Sequence, residues 1–158
     1  MGRNMTHRLA SFFLILTALG CNGPFGLLPG GSLTGAPAEA PRDWSFAGEA
    51  GTIQLETRHE SRSGEPYSVN LAYTVIDGRL YINAGGTETQ WAKNIARDPF
   101  VRLQLDGHLY DLQADRVIDS DEIVTFSEAW TGQSFFRRDP RKYAEVWIYE
   151  LRPPSESR

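Results

Sequence analysis

Residues 65–84 read EPYSVNLAYTVIDGRLYINA, and this stretch decides the fold. Tyr67, Val69, Leu71, Tyr73 and Val75 alternate with Ser68, Asn70, Ala72 and Thr74. A period of two puts one face of a strand into a core and leaves the other face polar. Asp77-Gly78 follows, the dipeptide favoured in tight hairpins because glycine accepts positive φ. Leu80, Ile82 and Ala84 continue the same alternation on the return strand.

The pattern extends in both directions. Upstream, Ile53, Leu55 and Thr57 alternate with Gln54, Glu56 and Arg58, and the charged run from His59 to Glu65 is a turn. Downstream, Gly85-Gly86 ends the strand. Thr87 and Gln90 have the capping-box spacing, which predicts a helix from about Glu88 to Arg97 with Trp91 and Ile95 on one face, stopped by Asp98-Pro99. Val101, Leu103 and Leu105 form a further strand, Asp106-Gly107 a second hairpin, and His108 to Val117 the return. Asp119 and Glu122 cap a second helix carrying Ile123, Phe126 and Trp130. Gly132 to Arg141 is an aromatic and basic loop or short helix, and Ala144 to Leu151 is the last strand. Hairpins without long crossovers predict a mainly β fold, an antiparallel barrel or sheet of five or six strands with helices at its ends.

The N-terminal residues have another purpose. Arg3, His7 and Arg8 precede an apolar run from Leu9 to Leu19, then Gly20 and the chain's single cysteine, Cys21. A basic region, a short apolar core and a small residue describe a secretory signal, and the cysteine after it resembles the lipidation site of bacterial lipoproteins. The expected organisation is a signal over residues 1–20, a lipidated Cys21 with a mobile Gly/Pro-rich linker over 21–43, a folded domain over 44–152 and a polar tail over 153–158. Phe25, Leu27 and Leu28 are apolar exceptions in the linker, placed to touch the membrane or the domain. Removing residues 1–20 takes away Arg3 and Arg8 and no acid, so the net charge moves from −4 to −6. Such a domain has no electrostatic footprint for nucleic acid. With no second cysteine it has no intrachain disulfide, so its core must hold it together.

Candidate chemistry is sparse. His59 reads as a solvated turn residue and His108 as a surface strand residue, and neither has metal-ligand spacing. There is no nucleophile elbow and no evident acid–base pair. The start of the first helix is the exception. Free N–H groups of Glu88, Thr89 and Gln90, the hydroxyls of Thr87 and Thr89, and Lys93 one turn on could receive a phosphate. The plainer alternative is that Thr87 only caps its helix while Trp91 packs on the barrel.

Residues 65–84, the turn Arg62-Ser63-Gly64-Glu65-Pro66 and the stretch WAKNIARDPFVRL at 91–103 resemble the flavin-binding split-barrel superfamily, which includes pyridoxamine-phosphate-oxidase-like and deazaflavin-dependent nitroreductase-like proteins. The resemblance covers about residues 50 to 151 and implies an antiparallel split β-barrel of about six strands with two or three helices. It also implies FMN or deazaflavin as cofactor. Ser68 and Asn70 would face the ring or ribityl chain, while Thr87, Thr89, Gln90 and Lys93 would lie by the phosphate. Glu65 stands where relatives often carry lysine, and the junction Gly-Gly-Thr-Glu-Thr at 85–89 holds an acid and no arginine.

The implied function is a lipid-anchored flavin- or deazaflavin-binding oxidoreductase acting on a small redox substrate at the bacterial cell envelope, facing the periplasm or exterior. It would draw electrons from a quinol or small redox protein. The alternative is a non-catalytic split-barrel lipoprotein that binds a small ligand or partner. A haem-binding variant is disfavoured by the scarcity of histidine and methionine. The resemblance also implies a homodimer, with Phe135, Phe136, Trp147 and Tyr149 as candidate interface aromatics.

Overall fold

The computed structural model describes residues 23–85 and 89–155. Its elements are β1 (Ala36–Ala38), β2 (Ala50–Arg58), β3 (Pro66–Ile76), β4 (Arg79–Asn83), α1 (Gln90–Arg97), β5 (Phe100–Leu105), β6 (His108–Arg116), α2 (Ser120–Gly132) and β7 (Ile148–Arg152), with short 3₁₀ turns at Ser45–Ala47 and Pro140–Lys142. The strand order is β1-β6-β5-β2-β3-β4-β7, and β7 also pairs with β6. Six antiparallel strands therefore close into a barrel. β6 is the shared strand: His108 to Tyr110 take the extra parallel strand β1, and Gln113 to Arg116 take β7.

The hairpins form where the sequence predicts them. Asp77 and Gly78 have φ of 50° and 75°, and Asp106 and Gly107 have φ of 49° and 79°. Both central residues lie in the left-handed region, so each loop twists in the sense of its strands. Ser63 and Gly64 repeat the geometry at φ 51° and 75°, and Glu65 N–H closes that turn on Arg62 O at 2.9 Å.

The period of two sorts the faces. Ile53, Leu55, Tyr73, Leu80, Ile82, Leu103, Leu112 and Leu151 fill the barrel. The outer side of β4 and β7 is covered by α2, where Tyr81 and Ile148 pack with Phe126 and Trp130. Asp119 caps α2 through bonds from the N–H groups of Asp121 and Glu122, as its spacing predicts.

Four expectations need correction. First, α1 begins at Gln90, not Glu88, with Thr89 at the N-cap, and the Thr89 side chain makes no capping bond. Thr87 and Glu88 lie outside the described residues, so the Thr87 cap is not among the observed contacts. Second, the last strand starts at Ile148 rather than Ala144. Third, His59 is buried: its ring meets Tyr67 edge-on at 5.6 Å, and its Nδ1 accepts from Ser61 N–H. Fourth, the stretch expected to be a mobile linker is docked from Gly23 onward. Gly30 and Ser68 exchange two backbone bonds of 2.9 Å, Leu33 is buried with its N–H on Glu56 Oε2, and Ala36–Ala38 form β1. The physical reason is close backbone approach. A Cβ on Gly35 would stand 2.7 Å from Gly107 O, so only glycine lets the chain enter this edge.

Candidate functional site

Ser68, Asn70, Ala72 and Thr74 share the outer face of β3, as their alternation requires. That face is not bare. The N-terminal strap, residues 23–33, lies across it. Asn70 Nδ2 donates to Gly26 O at 2.9 Å and to Pro24 O at 3.5 Å. Ser68 is fully buried beneath Gly30, and its Oγ has no partner. Glu56, opposite Ser68 in the ladder, holds the strap at Leu33.

The first turn of α1 divides into a spent part and an unspent part. Gln90 is spent: its Nε2 donates to Asn94 Oδ1 at 2.9 Å and to Glu60 Oε1 at 3.2 Å. Asn94 is fully buried, donates to Thr57 Oγ1 and also accepts from Glu60 N–H, so α1, β2 and the following turn form one polar cluster. Lys93 is half-buried on the next turn, with its N–H on Thr89 O. Thr89 Oγ1 is buried without a partner.

Unpartnered polar atoms also occur on the neighbouring strands. Thr89 Oγ1 at the start of α1, Asn83 Oδ1 at the end of β4 and Tyr149 OH inside the barrel against Trp91 are three of the six orphaned buried polar atoms among the described residues. Burial pushes the Tyr149 hydroxyl up to about 12, so it remains protonated at neutral pH. Each such group costs about 1–3 kcal/mol unless something satisfies it. Gly85 passes beneath Tyr143, whose hydroxyl would be 3.3 Å from a Cβ there. Arg138 stacks on the Tyr143 ring at 4.6 Å and brings a cation to this corner.

These positions decide how a flavin-type group fits. At the end where the resemblance would place a phosphate, Thr89 Oγ1 and the amides opening α1 are donors, Lys93 stands one turn on, and Tyr143 and Arg138 add an aromatic and a charge. The ring end is closed in this arrangement, because Ser68 and Asn70 are occupied by the strap. The Gln90 side-chain amide is already bound to Asn94 and Glu60. Cys21 and Thr87 lie outside the described residues.

Sequence reasoning missed Tyr143, Arg138 and the polar network of Asn94. The aromatic and basic run after α2 was the available signal for the first two. Of the candidate interface aromatics, Phe135 and Phe136 are exposed and Trp147 is half-buried under Arg116. Tyr149 is buried in the barrel core against Trp91, which removes it from any interface.

Three solved structures share the architecture. A putative pyridoxamine 5'-phosphate oxidase from Listeria innocua superposes with a TM-score of 0.51 at 14% identity, over 66% of this chain and 84% of that one. A conserved hypothetical protein from Mycobacterium tuberculosis gives 0.50 at 19% identity, over 72% and 78%. A protein of unknown function from Agrobacterium tumefaciens gives 0.50 at 20% identity, and this chain, matched over 72% of its own length, spans about half of it, 52%. No family model and no curated protein matches the chain. At these identities the likeness defines the fold: a split β-barrel of the kind found in the Listeria protein.

Proposed function

We propose that this chain is a lipid-anchored split-barrel protein with an oxidoreductase-like role, taking FMN or a deazaflavin with its phosphate at the β4–α1 junction. The observation that carries this reading is the buried, unpartnered hydroxyl of Thr89 at the opening of α1, a donor beside the helix's first amides. Likeness to the putative pyridoxamine 5'-phosphate oxidase supports it. When bound, a flavin-type group supplies hydride or electron transfer to a small redox substrate. The chain's own residues would then only bind and orient. Thr89 and the first amides of α1 receive the anion, Lys93 offsets its charge, and the barrel wall excludes water. No protein acid or base is required.

Export follows from the N-terminal pattern, with acylated Cys21 holding the domain at the envelope. Cys21→Ser should release the protein from membranes or block its processing; an unchanged mass and fractionation would refute the anchor. The cofactor is tested by the absorption spectrum of the purified protein, alone and with added flavin mononucleotide or deazaflavin. Lys93→Glu should weaken binding by more than the accompanying change in melting temperature accounts for, whereas a purely structural α1 leaves binding unaffected beyond that change.

A second reading has its own observation. The strap fills the face of Ser68 and Asn70 with backbone bonds, which suits a non-catalytic module that binds a small ligand or partner elsewhere. A colourless protein that neither yellows nor quenches flavin fluorescence selects it.

A further inference from the structure

Two apolar tips stand on the outer face of β3. The first is the hairpin Phe25–Leu28, closed by two backbone bonds of 3.1 and 2.9 Å between its end residues. Phe25, Leu27 and Leu28 are 84%, 102% and 67% exposed. The second follows α2, where Phe135 and Phe136 are 98% and 94% exposed. Each tip is fastened to the same strand. Asn70 holds the first through Gly26 O. Thr74 holds the second, because its hydroxyl donates to Gln133 Oε1 at 2.9 Å and Arg137 bonds both partners. Asn70 and Thr74 are four residues apart on one face, so their anchoring points are about 13 Å apart.

We propose that these tips form a docking patch for a lipid surface, a reading that rests on the anchor at Cys21. The three phenylalanine rings alone expose on the order of 500 Å². That is the scale of the largest exposed apolar patch on a typical monomer, which is often functional. Three further facts select lipid as the occupant. Cys21 is four residues before Phe25, and four extended residues span at most about 14 Å, so an acylated Cys21 keeps the first tip within reach of the bilayer. The second tip is followed by exposed Arg138 and Lys142, cations suited to anionic headgroups even though the domain is acidic, while Arg141 beside them is paired with Asp139. Both tips are already held by hydrogen bonds, so insertion orders little additional chain. A single acyl chain binds a membrane only marginally, and a second apolar contact makes the attachment firm.

The test uses the full chain in phosphatidylcholine–phosphatidylglycerol vesicles. Amide hydrogen exchange is followed at residues 25–28 and 134–137, and the mass of the Cys21 adduct is read on the same sample. The expected result is exchange at both tips slowed about tenfold relative to the detergent-solubilised chain. The double variant Leu27→Asp/Phe136→Asp should return both tips to fast exchange while strand amides and the adduct stay unchanged. Unslowed tips on an acylated chain, or slowing that persists in the double variant, overturn the patch. Slowing in detergent that grows with protein concentration assigns the face to a second copy of the chain and overturns it too. Loss of the adduct alone, with tips still slowed by vesicles, refutes the anchor reading and leaves the patch standing.

Discussion

Asn70→Ala isolates the hold of the strap on the barrel. The substitution removes one hydrogen bond of 2.9 Å to Gly26 O and a weaker one of 3.5 Å to Pro24 O. A net value of about 1 kcal/mol for the pair is reasonable, since one bond is at the limit of useful geometry. Strap opening should then become about fivefold more frequent. The reporters are the amides of Gly30 and Ser68, which bond each other's carbonyls across the strap–β3 contact. Their hydrogen exchange should accelerate about fivefold, while amides of the β5–β6 pair around Leu103 and Tyr110 keep their wild-type rates. Equal acceleration everywhere would mean that Asn70 stabilises the whole domain. No acceleration at Gly30 would mean that the strap is held by Leu33 and β1 alone. Either result refutes the assignment of Asn70 as a strap clasp. If the prediction holds, any ligand needing the face of Ser68 gains affinity by a similar factor, because the competent state is more populated.

Three more outcomes follow from the packing. Gly51→Ala puts a Cβ within 2.7–2.9 Å of the Tyr73 ring, whose hydroxyl donates to Ala47 O, and should cost about 1–3 kcal/mol in urea unfolding. Asn94→Leu strips partners from Thr57, Glu60 N–H and Gln90 in a buried cluster; a loss of about 2–4 kcal/mol is expected, and a loss below about 0.5 kcal/mol would refute the network's role. The Arg79 guanidinium, hydrogen-bonded twice to Glu150, holds that carboxyl below the usual range. Its stabilisation is therefore present above the unfolded value of about 4.3 and is lost as pH falls through the lower folded value. The melting-temperature gap between wild type and Glu150→Gln should be open at pH 7 and close on acidification; a constant gap would refute the linkage.

The hairpin 65–84 was legible because its information is in side chains: a period of two and an Asp-Gly turn leave little freedom. The face of Ser68 and Asn70 was legible for the same reason. What covers it was not, since the strap bonds through Gly30 backbone and the Gly26 carbonyl, and backbone contacts leave no side-chain pattern. The start of α1 was misplaced because two threonines two residues apart compete for the cap, and the spacing to Gln90 favoured Thr87. The fate of Gln90 depends on Asn94 and Glu60, one of them 30 residues away in sequence. The position of Tyr143 over Gly85 is likewise a long-range contact that no local period encodes.

If Cys21 is anchored as proposed, the strap also sets how far the barrel can stand from its attachment. Docked, residues 23–35 lie against β3 and β6 and hold the barrel beside the point where the chain leaves it. Peeled away, the same thirteen residues extend to about 45 Å. Tension on an anchored Cys21 would meet Asn70, the Gly30–Ser68 pair and Leu33 in turn before it reached β1 and the shared strand β6. On such an anchor the strap would act as a retractable leash, releasing length one contact at a time and sparing the barrel until the slack is gone.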